Sequence, residues 1–274
     1  MAELNKATSL FSVSWIVGGT FISYLSGVLS ERAKMLPVAV ATGLFAANAL
    51  FLLASRGIVG EESVEPRGGA ERGQPEDRST PLRYPAWLGA FLIYAVMGVV
   101  FNVFPVFARD EMSLSESSIG LVLTIRAIAS AAGFYAVGRA TFMQFKRAAM
   151  PALSIATAAA LVALAFQKSA AGFAMLFAAI GFLQSAIYNN SLFYATSGAP
   201  DRDKRASIHE SLLTFGQVVG SVSGGILYQA FSMQAVFIGL SALLAAGAAS
   251  QSAMVYRPAT ATGSSSYRSS RRRP

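Results

Sequence analysis

Residues 86–108 read AWLGAFLIYAVMGVVFNVFPVFA, 23 residues without a formal charge. At 1.5 Å of rise per residue a helix of that length crosses the ~30 Å hydrocarbon core of a bilayer. Its apolar residues occupy every face, which excludes both the one-sided stripe of a soluble surface helix and the alternation of a half-buried strand. Working outward, seven further runs share the character: Phe11–Leu29, Leu36–Ser55, Ser118–Gly138, Ala148–Gln167, Ala170–Ser197, Ser207–Phe231 and Gln234–Val255. The pattern predicts an all-α, polytopic membrane protein with eight transmembrane helices. Arg126 and Glu210 are the formal charges inside them.

Composition points the same way. The chain of 274 residues is 54% hydrophobic and 13% charged, about half the ~25% charge of a soluble domain. An ordinary soluble enzyme and a disordered chain are thereby excluded. The lack of cysteine excludes a disulfide framework, thiolate catalysis and cysteine-ligated metals. The net charge of +8 follows from topology rather than from nucleic-acid binding. With an even number of spans both ends share a side, and 17 of the 22 Lys and Arg then lie on that side against 4 on the other, with Arg126 within the membrane. Positive-inside asymmetry predicts cytoplasmic termini in a plasma (inner) membrane. The first run is too long for a cleaved signal peptide and lacks a small-x-small site, so it reads as a true span.

Between Arg56 and Arg83 the sequence is rich in Gly, Pro, Glu and Arg with no apolar period, the character of a flexible cytoplasmic linker. Residues 257–274 form a basic, Ser-rich tail expected to be disordered, its arginines either resting on anionic headgroups or solvated.

The chain also aligns with itself. At an offset of 198 residues Gly18, Ser23, Gly27 and Leu29 fall on Gly216, Ser221, Gly225 and Leu227, and Met35, Val38 and Ala47 fall on Met233, Val236 and Ala245. Spans one and two therefore read as a second copy of spans seven and eight, as in the parallel repeats of some transporters. Counterparts of spans three to six would lie before Met1, so the pattern predicts about two thirds of a twelve-span protein, lacking four helices at its front.

Several segments carry a family resemblance: Ser14-Trp15-x-x-Gly18 with Gly27; Phe104-Pro105; Ile119-Gly120-Leu121 through Arg126 to Gly138-Arg139; and Arg205-Ala206, Glu210, Gly216, Gly220 and Gly224-Gly225. In these the chain resembles the major facilitator superfamily of transporters, from the fifth helix of that fold to its end. The resemblance implies the last two helices of an incomplete first bundle over 1–55, a central linker over 56–84, and a complete six-helix bundle over 85–256. The loop Gly138–Arg147 keeps the basic residues of the family's loop motif but lacks its acid, which counts against a charge relay there.

Arg126 lies about 8 residues into its span, roughly 12 Å deep at 1.5 Å per residue. A charge at that depth costs at least ~2.5 kcal/mol and must face a cavity or a partner. It either binds an anionic or polar substrate group or pairs within the bundle, and Asn102 is expected at similar depth. On the sixth span Gln184 and Tyr188 share one stripe and Ser185 and Asn189 the next, at i, i+4 spacing. With Tyr94 and Gln217, the residues Arg126, Asn102, Gln184, Tyr188 and Asn189 make up the candidate substrate-binding set. Ser207–Glu210 matches a Ser-x-x-Glu capping box, so Glu210, with Arg139 and Arg205, is assigned to capping or gating. The lone His209 is expected at the interface, and Asn48 in helix packing. Gly216, Gly220 and Gly224 form a small-residue stripe, as do Gly19, Ser23 and Gly27. The resemblance implies that the first of these stripes meets a helix from the missing part.

The function expected is secondary active transport of a small molecule by alternating access. The sequence has no phosphate-cradling loop and no nucleophile–base pair, so neither cofactor nor enzyme chemistry is expected. The expected partners are membrane lipids, the small-molecule substrate, and a missing N-terminal half or a homo-oligomer. The alternative is a truncated or half-transporter, inert alone or assembling with a separate partner.

Overall fold

Short polar connections punctuate the apolar runs, and helices fill the space between them. The structure, a computed structural model, describes residues 10, 12–13, 16, 19–55, 77–139 and 143–256. Among these it is all-α: α1 (Ile22–Arg32), α2 (Leu36–Ser55), α3 (Arg83–Asn102), α4 (Phe104–Asp110), α5 (Glu116–Arg139), α6 (Ala149–Ala165), α7 (Ala170–Thr196), α8 (Arg202–Ala230) and α9 (Met233–Tyr256). Six stretches are long and apolar enough to span a bilayer, α3 and α4 counting as one, and α6 is a shorter apolar helix where the fifth span is expected. The first expected span is helical at Leu10, Ser12, Val13, Ile16, Gly19 and Thr20, then passes through a turn residue, Phe21, into α1. Ser14, Trp15 and Gly18, residues 56–76 of the linker, and the tail 257–274 lie outside the described residues.

The third span is interrupted where its sequence requires it. Pro105 lacks the N–H that would continue the ladder, and the helix breaks at Val103 before restarting as α4 with the proline in its first turn. The break aims Phe104 into the bundle, where it is fully buried. Its ring lies 4.7 Å from that of Phe177 and 5.2 Å from that of Phe173. This aromatic cluster fills the end of the bundle away from the linker.

Water-driven burial does not distinguish helix neighbours in lipid, so small residues and polar pairs select them. The tightest crossing is α3 on α8. A β-carbon on Gly216 or Gly220 would strike the backbone of Phe91 or Ala95, and one on Gly224 the side chain of Val99. The stripe therefore closes within the second bundle, which corrects the expectation that it meets a helix from elsewhere. A strip without side chains accepts whichever helix can bring its backbone closest, and α3 answers with Gly98 against Ser221. The other stripe divides: Gly19 touches nothing, while Gly27 faces the Glu116 backbone and Gly120 faces that of Ser23, so α1 crosses α5 closely.

Polar pairs hold α9. Gln251 Nε2 donates to Pro85 O at 2.9 Å and Ser154 Oγ donates to Gln251 Oε1 at 3.0 Å. Ser241 Oγ donates to Ala158 O at 3.0 Å. By contrast α2 buries none of its residues, and Asn48, expected to serve packing, is exposed.

The last linker residues dock on the loop between α7 and α8. Arg78 N–H donates to Gly198 O at 3.1 Å. Gly198 has φ +69°, and a β-carbon there would sit 2.6 Å from Arg78 O, so the position needs glycine for both conformation and space.

Candidate functional site

Between the first span and the second bundle, in the half of the molecule nearer the linker, lies a cavity of about 490 Å³. Helical periodicity builds its walls. On α8 the residues Ala206, Glu210, Leu213, Thr214 and Gln217 recur on one face, and on α7 Gln184, Tyr188 and Leu192 follow at steps of four. Tyr94 of α3 and Phe134 of α5 close the sides, and Ser12 and Ile16 of the first span face them.

Three rings form a continuous aromatic wall. Tyr188 stands 5.5 Å from Phe134 at 89° and 6.3 Å from Tyr94 at 36°. Tyr188 Oη donates to Glu210 Oε1 at 2.8 Å, and His209 Nδ1 is 3.3 Å from the same oxygen. His209 is fully buried, its ring 5.1 Å edge-on from Tyr188. The expected interfacial histidine is instead a packed one, because residue 209 turns inward beneath Tyr188 while Glu210 faces the cavity.

Behind this wall sits Arg126, 3% exposed. Its Nη1 donates to Gln184 Oε1 at 2.8 Å and approaches Met97 Sδ at 3.7 Å. The guanidinium lies 4.7 Å over the Phe101 ring, a cation–π contact. Gly181 makes room for it, since a β-carbon there would meet the Arg126 backbone and its Cγ. Because arginine only donates, Gln184 must give it the amide oxygen and turn the amide N–H groups elsewhere.

The candidate set therefore separates. Tyr94, Gln184, Tyr188 and Gln217 line the cavity, and so does Glu210. Arg126, expected either to bind a polar or anionic substrate group or to pair within the bundle, is paired with neutral groups and is joined to the cavity lining through Gln184. Asn102 does not join it: its Nδ2 donates to Ser221 Oγ at 2.9 Å and to Gly98 O at 3.1 Å, cementing α3 to α8. Asn189 is fully buried on the stripe of Ser185, which faces Gly133 of α5, and is not part of the lining.

The capping-box reading of Glu210 is corrected. α8 begins at Arg202 with Asp201 as its N-cap residue, and Ser207 Oγ donates back to Asp203 O at 2.9 Å. Five more residues of helix precede Ser207, so no free N–H remains there to cap. Arg139 stacks on the Tyr135 ring at 3.5 Å on the exposed side of its own helix. Arg205 does contact a second segment: it reaches Asp77 Oδ2 at 2.5 Å and Ser79 Oγ at 3.0 Å, tying α8 to the linker's end. Hydrogen bonds from Ser79, then the Arg205 pairing, hold the Asp77 carboxyl at about 2. That tie is present above the ordinary carboxylate value and is lost only as pH falls through about 2.

Phe134, Thr214, Ile16, Ser12, Leu192 and Leu213 also line the cavity without having been singled out by sequence. The available signal was the recurrence 206, 210, 214, 217 on α8, whose first turns are polar enough to hide a cavity face.

A family model described as Major Facilitator Superfamily matches residues 86–274. No curated protein and no solved structure matches the chain.

Proposed function

We propose that this chain, which belongs to the Major Facilitator Superfamily of transporters, moves a small molecule across a membrane by secondary active, alternating-access transport. The observation that carries the reading is the cavity's position between the first span and the second bundle, in the linker half. At the other end the two parts meet through Gly27 on Glu116 and Gly120 on Ser23, with Glu31 Oε1 accepting from the Ser117 N–H at 2.8 Å. A space between the two parts at one end and close contact at the other is the arrangement expected for one half of a rocking cycle. The basic residues favour cytoplasmic termini in a plasma (inner) membrane, so the cavity end faces inward. In this reading Tyr94, Gln184, Tyr188 and Gln217 contact substrate, Arg126 positions Gln184, and Arg205 on Asp77 is a gate tie on the cytoplasmic side.

A second reading, a half-transporter that works only with a partner, is favoured by α2, an apolar helix with no buried residue. The partner would be an N-terminal four-helix half or a second copy.

The chain contains no cysteine, so a single Gln217→Cys reports cleanly. Alternating access predicts reaction with a membrane-impermeant maleimide from both faces, in right-side-out and in inverted vesicles. Labelling from the linker face alone would remove the transport reading. Labelling from both faces only when a front half or second copy is co-expressed would select the half-transporter.

A further inference from the structure

We propose that the cavity takes a lipophilic organic cation; this deepens the transport reading above and rests on its placing substrate in that space. Among the described lining residues Glu210 is the single formal charge. Its Oε1 accepts from Tyr188, and half of its side chain is still exposed, 55% by area. A ligand cation can therefore reach it without breaking the existing bond.

Arg126, the cation behind the aromatic wall, does not perform the reverse task. Arg126 spends Nη1 on Gln184 Oε1 and lies over Phe101. An anion entering the cavity would meet a carboxylate, with the guanidinium on the far side of an amide. His209 is the other titratable group facing Glu210, buried beneath Tyr188 with Nδ1 3.3 Å from the carboxylate. Arg205, one residue before the lining Ala206, is held on Asp77 and Ser79.

The walls specify what kind of cation fits. Tyr94, Tyr188 and Phe134 line the space, and a ligand cation seated over the face of one of these rings gains about 0.5–2 kcal/mol when water is excluded. Ile16, Leu192 and Leu213 supply the apolar remainder. A hydrated metal ion is a poor match, since one carboxylate among apolar walls cannot replace its oxygen shell. At about 490 Å³ the space lies within the range of drug-sized ligand sites. A bulky cation with its charge spread over aromatic or alkyl groups satisfies both walls and carboxylate.

The test is binding to the purified full chain in nanodiscs, with radiolabelled tetraphenylphosphonium and its isosteric anion tetraphenylborate as probes and protein-free nanodiscs subtracting lipid partition. The cation is expected to bind at least tenfold more tightly than the anion. Glu210→Gln should weaken the cation at least tenfold and leave the anion unchanged or improved. Tyr188→Leu should weaken the cation several-fold, and Glu210→Asp should restore part of the loss. Equal affinity for the two ions in the unaltered protein, or full cation binding in a monodisperse Glu210→Gln protein, would overturn the proposal; the first comparison needs no variant to fold. Binding is read without transport, so the two readings fail separately. Phosphonium binding with one-sided maleimide labelling ends the transport reading alone. Two-sided labelling with no preference for the cation ends this one alone.

Discussion

The hairpins α1–α2 and α8–α9 align with each other at an offset of 198 residues, yet they meet different fates. α1 ends at Arg32 and α8 at Ala230, the 198-residue offset of their sequence matches. The later helix of the second hairpin, α9, buries nine residues, Met233, Val236, Phe237, Leu240, Ser241, Leu244, Gly247, Ala248 and Gln251; its counterpart α2 buries none. Hydrophobicity does not explain this, because α2 is the more apolar, with mean hydropathy 2.0 against 1.6. In lipid an apolar side chain gains little by leaving tails for another helix. What α9 has and α2 lacks is polar glue. The positions of Ser241 and Gln251, whose bonds reach α6 and α3, are Gly43 and Leu53 in α2.

The first helices of the hairpins differ in the same way. Gly27 and Gly225 correspond at that offset, but Gly27 is pressed on Glu116 while Gly225 touches nothing. The working glycines of α8 are 216, 220 and 224, on another face. The sharpest break of the comparison is therefore Gly220→Val. Its branched side chain would enter the Ala95 backbone, where overpacking costs about 1–3 kcal/mol or more. Gly220→Val should lose monodisperse protein on detergent size-exclusion chromatography. Gly225→Val and Gly43→Val, at open positions, should stay within ~0.5 kcal/mol of the parent in thermal stability. If Gly220→Val is as stable as those two, the α3–α8 interlock is not what holds the bundle.

Much of the fold was legible because a lone helix in lipid is decided by its own sequence. The expected Ser118–Gly138 and Ala170–Ser197 appear as Glu116–Arg139 and Ala170–Thr196. Which helix faces which was not legible. The Gly216–Gly224 stripe announces a close approach, but not that its partner is α3. The site divided likewise: the Gln184–Tyr188 stripe lies on the cavity wall. Arg126 went behind it, because a rotation of α5 set by Gly133 on Ser185 and Gly181 on Arg126 is a tertiary fact. Glu210 was misread through a motif that matches capping at any polar–apolar boundary, whether or not the helix starts there.

An intermediate effect sharpens the glue argument. Gln251→Leu writes into α9 the residue that α2 carries at Leu53. It removes the bond to Pro85 O and the acceptor for Ser154. Interhelical bonds of this kind are worth about 0.6–2 kcal/mol, so the variant should fold and melt measurably earlier in detergent. A melting temperature equal to the parent's would mean that packing of Gly247 on Leu92, not hydrogen bonding, retains α9.

The smallest effect concerns how the first hairpin holds on at all. Beyond the Gly27–Gly120 crossing, α1 grips α5 with Glu31, whose carboxylate accepts from the Ser117 N–H in the first turn of α5. There the helix dipole and unpaired N–H groups favour an anion. That backbone bond, then one from the Ser117 hydroxyl, lowers the Glu31 pKa below its ordinary 4.5. A lowered carboxylate stabilises its contact above the ordinary value and loses it as pH falls through the lowered one. At pH values above the ordinary 4.5 the grip should be constant, and acidification below that value should loosen it while α3–α9 stay folded. Maleimide labelling of a single Ser30→Cys, at the end opposite the linker, divided by the rate of free cysteine at the same pH to cancel the change in thiolate fraction, should rise modestly on that acidification. Glu31→Gln should label at the raised level throughout, because a neutral amide oxygen accepts the same N–H without the charge. A pH-independent normalised rate in the parent, equal to that of Glu31→Gln, would leave the glycine crossing as the whole of the attachment, and the two hairpins would then differ in kind rather than in degree.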